Sequence, residues 1–276
     1  MDIWVAARRD GVWEPAVKVT AAPKIPHWNP VLFLRLDGTV CLYFKVGKKV
    51  RFWHTWLSVS EDNGRTWSRP KELVPGDDGN GRGPGKNKNI RLSDGRIAAP
   101  ASSEKNGRWR SFVDLSFDDG LTWRQQPFVP ARRPHRKTVP MIQPSLWESA
   151  PGRVHTLTRT AVGYVYRSDS DDYGETWSHA YKTDLLNNNS GLDLDRTANG
   201  RLFLVANPVG NNWGERTPLT LTASDDNGAT WREVFVFENE PGEYSYPAIV
   251  AEGDTLHVTY TWKREEVAYW ELKIEE

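Results

Sequence analysis

A chain of 276 residues with 36 basic and 36 acidic side chains is long enough for one or two substantial cores, and its zero net charge gives no electrostatic case for nucleic acid or an anionic membrane. Its single cysteine, Cys41, cannot form an internal disulfide, and no Cys/His spacing suits zinc. No metal or other cofactor is therefore expected, although calcium held by backbone and carboxylate oxygens would leave little trace. The opening Met1-Asp2-Ile3-Trp4 lacks the basic and apolar regions of a signal peptide, and no apolar run approaches about 18 residues, which leads us to expect a soluble, cytoplasmic protein.

Repetition organises the chain. Arg9-Asp10-Gly11-Val12-Trp13 is an eroded copy of a phrase that returns as Ser60-Glu61-Asp62-Asn63-Gly64-Arg65-Thr66-Trp67, Ser116-Phe117-Asp118-Asp119-Gly120-Leu121-Thr122-Trp123, Ser170-Asp171-Asp172-Tyr173-Gly174-Glu175-Thr176-Trp177 and Ser224-Asp225-Asp226-Asn227-Gly228-Ala229-Thr230-Trp231. The five tryptophans are 54, 56, 54 and 54 residues apart, and a period of about fifty is that of repeated blades. Before the first full phrase, Trp28-Asn29-Pro30-Val31-Leu32-Phe33 reads as a short apolar strand, Asp37-Gly38 as a tight turn and Thr39-Val40-Cys41-Leu42-Tyr43-Phe44 as a second strand. Residues 52–59 form a third strand that runs into the phrase. The turn recurs at Asp94-Gly95, Pro151-Gly152 and Asn199-Gly200, and three strands follow Trp231, at 246–250, 256–262 and 267–272.

Four antiparallel strands per repeat make a propeller blade, so the expected fold class is all-β, a β-propeller forming one domain over residues 1–276. The ends leave two readings. One is a six-bladed plan with an incomplete first blade; the other is five-bladed closure, with the N-terminal strands completing the C-terminal sheet, since unpaired edges are costly. The phrase itself has a structural explanation. Its aspartate can accept backbone N–H bonds across a turn, glycine supplies a positive φ, Ser or Thr satisfies further backbone, and Trp carries an apolar face into the seam between sheets.

These phrases are the Asp-box, or bacterial neuraminidase repeat, and the chain resembles the sialidase superfamily, in particular the sialidase-like BNR-repeat proteins of bacteria. Supporting phrases run over nearly the full length: Trp28-Asn29-Pro30, Lys86-Asn87-Lys88, Ile142-Gln143-Pro144, Asn189-Ser190-Gly191 and Tyr244-Ser245-Tyr246-Pro247. The resemblance implies a propeller of the sialidase type. It also implies a chemistry in which three arginines hold a substrate carboxylate, a tyrosine assisted by a glutamate attacks, and an aspartate protonates the leaving group. A neutral nucleophile is not repelled by a carboxylate beside the anomeric carbon, and a nearby base can take its proton. On this pattern Arg159 stands for the second arginine, Arg216 for the third and Tyr246 for the nucleophile, with Tyr244 as its competitor. The glutamate's place reads Gln143, which hydrogen-bonds but is no base at neutral pH; Glu243 or Glu104 is the substitute. The first arginine and the acid belong to the opening of the first blade, where Asp2 is the nearest acid.

Where first strands and their loops should face the ring centre stand Trp28, Asn29, Lys45, His54, Lys86, Lys88, Asn189, Asp193, Trp262, Lys263 and Arg264. Arginine, lysine and amide groups in such a setting suit an acidic sugar. The candidate substrate-binding set is Arg159, Arg216, Asn29, Lys86, Lys88, Asn189, Asp193 and Lys263; the candidate catalytic set is Tyr246, Gln143 and Glu243. His54 and His155 read as ordinary strand residues. The expected function is a sialidase-like, exo-acting glycoside hydrolase whose partner is an acidic oligosaccharide or glycan. Two alternatives stand: a lyase acting on uronate-containing polysaccharide, and a non-catalytic glycan-binding or scaffold propeller, which Gln143 and the incomplete first blade favour.

Overall fold

Each repeat folds as an antiparallel meander, because its apolar and β-branched runs are separated by short turns that Asn, Asp and Gly enter most readily. The computed structural model describes residues 2–19, 25–77, 81–131 and 138–275. They pack as two units, Met1–Arg91 with Gly95–Gln126, and Leu92–Asp94 with Pro127–Glu276. Among the described residues, helix is limited to the 3₁₀ turns Val50–Phe52 and Lys105–Gly107, and no helix is long and apolar enough to cross a membrane.

The first unit opens with four two-residue strands, β1 (Trp4–Val5), β2 (Arg8–Arg9), β3 (Val12–Trp13) and β4 (Val17–Lys18). These pair as β1 with β4 and β2 with β3. Ile3 and Val19, buried just outside β1 and β4, pack with Leu42, Phe44 and Val46 of the blade that follows. That blade is β5 (His27–Leu34), β6 (Val40–Val46), β7 (His54–Ser60) and β8 (Lys71–Glu72); the next is β9 (Ile90–Arg91), β10 (Ile97–Ser103), β11 (Arg110–Ser116) and β12 (Arg124–Gln125).

The second unit holds two further four-stranded meanders. They are β13 (Met141–Ala150), β14 (Arg153–Thr160), β15 (Gly163–Ser170) and β16 (Tyr181–Asn187), then β17 (Asp193–Arg196), β18 (Leu202–Ala206), β19 (Leu219–Ser224) and β20 (Arg232–Glu238). A three-stranded sheet ends the chain: β21 (Tyr244–Glu252), β22 (Thr255–Trp262) and β23 (Glu266–Lys273). Among the described residues, five blade sheets result. Carboxylates bind inner strands together in this unit: Asp193 accepts from Ser145 Oγ on β13 at 2.7 Å and from the Ile249 amide on β21 at 3.1 Å, and Asp195 accepts from the Ala251 amide at 2.9 Å.

All four full boxes close the same way. In the first, the Ser60 hydroxyl donates to Asp62 Oδ1 at 2.8 Å and accepts from the Gly64 amide at 2.8 Å, while Asp62 takes the Thr66 amide at 2.8 Å and the Thr66 hydroxyl at 2.5 Å. Asp118, Asp172 and Asp226 repeat the pattern. The turn needs two consecutive positive φ values, met by Asn63 and Gly64 at 58° and 82° and by Asn227 and Gly228 at 58° and 77°. The boxed tryptophans with described core contacts pack against clusters to which the preceding element contributes: Trp67 against one with Ile3 and Val19, Trp123 against one with Val31 and Tyr43, Trp231 against one with Trp147 and Leu157. Burial of such a ring is worth about 4 kcal/mol at ~25 cal/mol per Å². The boxes are thus structural, and their aspartates are spent on turns.

Candidate functional site

The heads of the innermost strands carry an unusual backbone. Asn29, Gln143 and Tyr246 have φ of 49°, 55° and 54°, and each is followed by proline, which ordinarily keeps the residue before it out of the helical regions. Each also sits at a register shift, between Trp28 and Val31, Ile142 and Pro144, and Ser245 and Ala248. A bulge of this kind re-aims one side chain and disrupts the ladder locally, and left-handed non-glycine residues at a cost of order 1–3 kcal/mol cluster at functional sites. Asn189, just before β17, shares the conformation with φ 63°.

In the second unit two clusters form from these heads. The Arg159 side chain, only 4% exposed on β14, donates from Nε to Asn189 Oδ1 and from Nη1 to Gln143 Oε1, both at 2.9 Å. Gln143 is therefore an acceptor that orients an arginine. In the other cluster Arg216 donates from Nη1 to Glu243 Oε1 at 2.9 Å and lies over the Tyr246 ring at 5.1 Å. Arg264 Nε donates to Glu243 Oε2 at 2.7 Å, and the Ser245 hydroxyl donates to Oε1 at 3.3 Å. The pairing holds Arg264 more firmly protonated through its bond to Glu243. Tyr246 is 39% exposed, whereas its competitor Tyr244, at 1%, packs in the core with Tyr260.

A chain of side-chain amides, buried except at Asn212, ties the two clusters together. Asn188 Nδ2 donates to the carbonyls of Gly214 and Glu215, Asn189 Nδ2 to Asn212 Oδ1 at 3.0 Å, and Ser190 Oγ to Asn207 Oδ1 at 2.9 Å. Asn207 Nδ2 then donates to the carbonyls of Pro218 and Tyr244. Sequence reasoning singled out Asn189 and missed Asn188, Asn207 and Asn212. The available signal was the unbroken polar run 187–190, all of it buried. Asp193 belongs to the framework described above, and Lys263, in the tight β22–β23 turn, stacks its ammonium over Trp262 at 4.4 Å.

The remaining candidates lie in the first unit. Asn29 Nδ2 donates to the Gly85 carbonyl at 2.8 Å, just before Lys86 and Lys88, both half-buried. Trp28 stacks on Trp53 at 5.5 Å, and His54 Nδ1 lies 2.9 Å from Glu72 Oε1. Lys45 is buried, donating to Thr55 Oγ1 at 2.6 Å and to the Arg82 carbonyl at 3.1 Å, and burial pushes its ammonium down to about 7. Glu104 is half-buried at the end of β10, and Asp2 pairs with Lys18 at 2.7 Å. Among the described residues no group of three or more His, Cys, Asp or Glu could hold a metal ion.

A family profile described as a BNR repeat-like domain matches residues 1–258. Among solved structures, a Hadza microbial sialidase superposes with a TM-score of 0.80 at 18% identity, over 99% of this chain and 59% of that one. A protein of unknown function from Dyadobacter fermentans gives 0.77 at 20% identity, over 96% and 81%. Trypanosoma rangeli sialidase gives 0.71 at 17% identity, over 94% and 47%. The chain thus spans about three-fifths of the first sialidase and about half of the second. At these identities the likeness shows the fold, a β-propeller of the sialidase type in a five-blade arrangement.

Proposed function

The chain belongs to the BNR repeat-like domain family, and from that premise we propose that it is a sialidase-like glycoside hydrolase acting at the end of an acidic glycan. Arg159 and Arg216 clamp the substrate carboxylate, for which guanidinium forks are suited. Tyr246 attacks the anomeric carbon as Glu243 accepts the phenol proton; the glycosidic C–O bond breaks and the departing oxygen takes a proton from water, after which a second water displaces the tyrosine from the sugar and Glu243 returns the proton to the phenolate. The observation that carries this reading is Tyr246 itself. An exposed phenol is held at a left-handed φ before proline, under the Arg216 guanidinium, with Glu243 bonded to that same arginine.

Gln143 supports a second reading. Its amide oxygen accepts a hydrogen bond from Arg159 but takes no proton at neutral pH, so Gln143 cannot supply the base of the sialidase pattern, which favours a propeller that binds the glycan without cleaving it. One experiment separates the two. A fluorogenic sialoside is offered to the wild-type protein and to Tyr246→Phe, while binding of free sialic acid is followed by calorimetry. Turnover that disappears in Tyr246→Phe supports the hydrolase; binding without turnover assigns a binding propeller. Absence of both rejects the acidic-sugar site, and an unsaturated uronate formed from an acidic polysaccharide would assign a lyase instead.

A further inference from the structure

At the other end of β13 from Gln143, one face of the sheet carries a second constellation. Trp147, His155 and Asp169 are directly opposed across β13, β14 and β15; Ser149 follows Trp147 by two residues, and Arg167 precedes Asp169 by two. Ser149 Oγ lies 2.7 Å from His155 Nε2, and His155 Nδ1 lies 2.5 Å from Asp169 Oδ1. Asp169 also accepts from Arg167 Nε at 2.8 Å and from the Tyr181 hydroxyl at 3.0 Å. These bonds outweigh burial and hold its carboxyl down at about 2.

The tautomer of His155 follows from its neighbours. The Trp147 indole N–H can only donate, and it meets Asn227 Oδ1 at 2.7 Å. Asn227 Nδ2, thereby a donor, points at His155 Nε2 at 3.3 Å. Nε2 must present its lone pair to that amide and to the Ser149 hydroxyl, so the ring proton resides on Nδ1 and is donated to Asp169. Arg167 Nε and His155 Nδ1 both donate to Asp169 Oδ1, which leaves Arg167 Nη2 facing Nδ1 donor to donor at 3.1 Å. Stacking of Trp147 on the imidazole at 4.9 Å fixes the ring plane. This arrangement, a hydroxyl on the free nitrogen of an imidazole whose other nitrogen is anchored by a carboxylate, is how a serine is activated as a nucleophile.

We propose that Ser149, His155 and Asp169 form a second active site, one that hydrolyses carboxylic esters. Ser149 Oγ attacks the ester carbonyl carbon as its proton passes to His155 Nε2; the C–O bond to the alcohol then breaks, and Nε2 returns the proton to the departing oxygen. Water repeats the sequence on the acyl-serine and leaves a free acid. Asn227 Nδ2 loses its acceptor at the moment Nε2 is protonated, when a donor is needed for the oxyanion. The alcohol part of the ester carries both polar and apolar groups. A cavity of about 640 Å³ opens beside the cluster, sharing Arg167, Tyr181 and Asn227 with it and lined further by Lys182, Leu185 and Trp231. The site uses none of the residues of the proposed sugar site.

The test is covalent labelling with a fluorophosphonate, in which serine displaces fluoride from phosphorus, together with hydrolysis of p-nitrophenyl acetate. Wild-type protein is expected to carry the label on the peptide containing Ser149. Ser149→Ala, a small change at a half-exposed hydroxyl, should lose the label and at least 100-fold in kcat/KM with an unchanged melting temperature. Asp169→Asn should keep ester binding but lose about as much in kcat, since the imidazole is then no longer held in the Nδ1–H form; a merely structural Asp169 would lower the melting temperature and leave kcat alone. Tyr246→Phe should label like the wild type. The proposal is overturned if folded wild-type protein leaves Ser149 unlabelled, or if Ser149→Ala hydrolyses the ester at the wild-type rate.

Discussion

Replacing Lys45 by methionine should reverse the sign of its effect on stability between neutral and alkaline pH. The ammonium is 2% exposed and bonded to Thr55 Oγ1 and the Arg82 carbonyl, in a pocket where Arg82 is itself clasped by both oxygens of Asp114 at 2.8 and 3.0 Å. Burial lowers its pKa from 10.5 to about 7, against a smaller opposing pull from Asp114. The unfolded chain therefore holds this proton between pH 7 and 10.5 while the folded chain releases it, so stability rises with pH across that window, about tenfold in the folding constant per unit. The full penalty below pH 7 is about 5 kcal/mol on this basis. Lys45→Met escapes it but forfeits two hydrogen bonds worth about 1 kcal/mol each. The variant should thus be more stable by roughly 3 kcal/mol at pH 7 and less stable by roughly 2 kcal/mol above pH 10.5, crossing wild type near about pH 9. Urea melts at half-unit steps from pH 7 to 10.5 measure the difference directly. A difference that stays constant with pH would refute a buried, proton-shedding lysine.

Glu243→Gln should cost about 10²–10⁴-fold in sialoside kcat with KM little changed, as loss of a general base does; a change confined to KM would make Glu243 only a partner of Arg216. Asp193→Asn places an amide N–H against a donor, Ser145 Oγ or the Ile249 amide, and should cost about 1–3 kcal/mol in urea; an unchanged midpoint would remove it from the framework. Asp226, held by the Thr230 hydroxyl first and then by backbone, titrates at about 2 against 3.8 unfolded. A depressed carboxyl contributes stability above pH 3.8 that is lost as pH falls through about 2. Thr230→Val should raise the Asp226 titration midpoint seen by carbon-detected NMR, and an unmoved midpoint would contradict that order of causes.

The blade register was legible because the box is a local device. Its serine, aspartate, glycine and threonine satisfy one another within eight residues, so the phrase folds alike wherever it stands, and the strands between copies are bounded by the same turns. Less local features were not legible. Two of the fourth strands, β8 and β12, are only two residues long and carry too little alternation to announce themselves. The N-terminal pieces form two short ribbons on the first blade's core because Ile3 and Val19 find apolar partners there, a fact about packing that no periodicity encodes. Lys45 looked like a pocket lysine from its place at the end of a strand, yet its neighbours on β7 and in the Arg82 loop enclose it.

The candidate residues were legible to the extent that they depend on side-chain type at three strand heads, one in the first unit and two in the second. Asn29-Pro30, Gln143-Pro144 and Tyr246-Pro247 share one backbone device, a left-handed residue before proline beside a register shift. The proline removes a ladder donor where the strand would otherwise begin pairing, and the residue before it is turned out of the alternation of the sheet. Because the backbone is common, the chemistry at each head depends on the side chain placed there: an amide that donates to the Gly85 carbonyl, an amide that steers Arg159, and a phenol beneath Arg216. Exchange of a head residue should therefore alter function more than fold. The Ser149 constellation lacks such a signature, since its members are ordinary strand residues until the pairing of three strands and the box of the next blade bring them into contact.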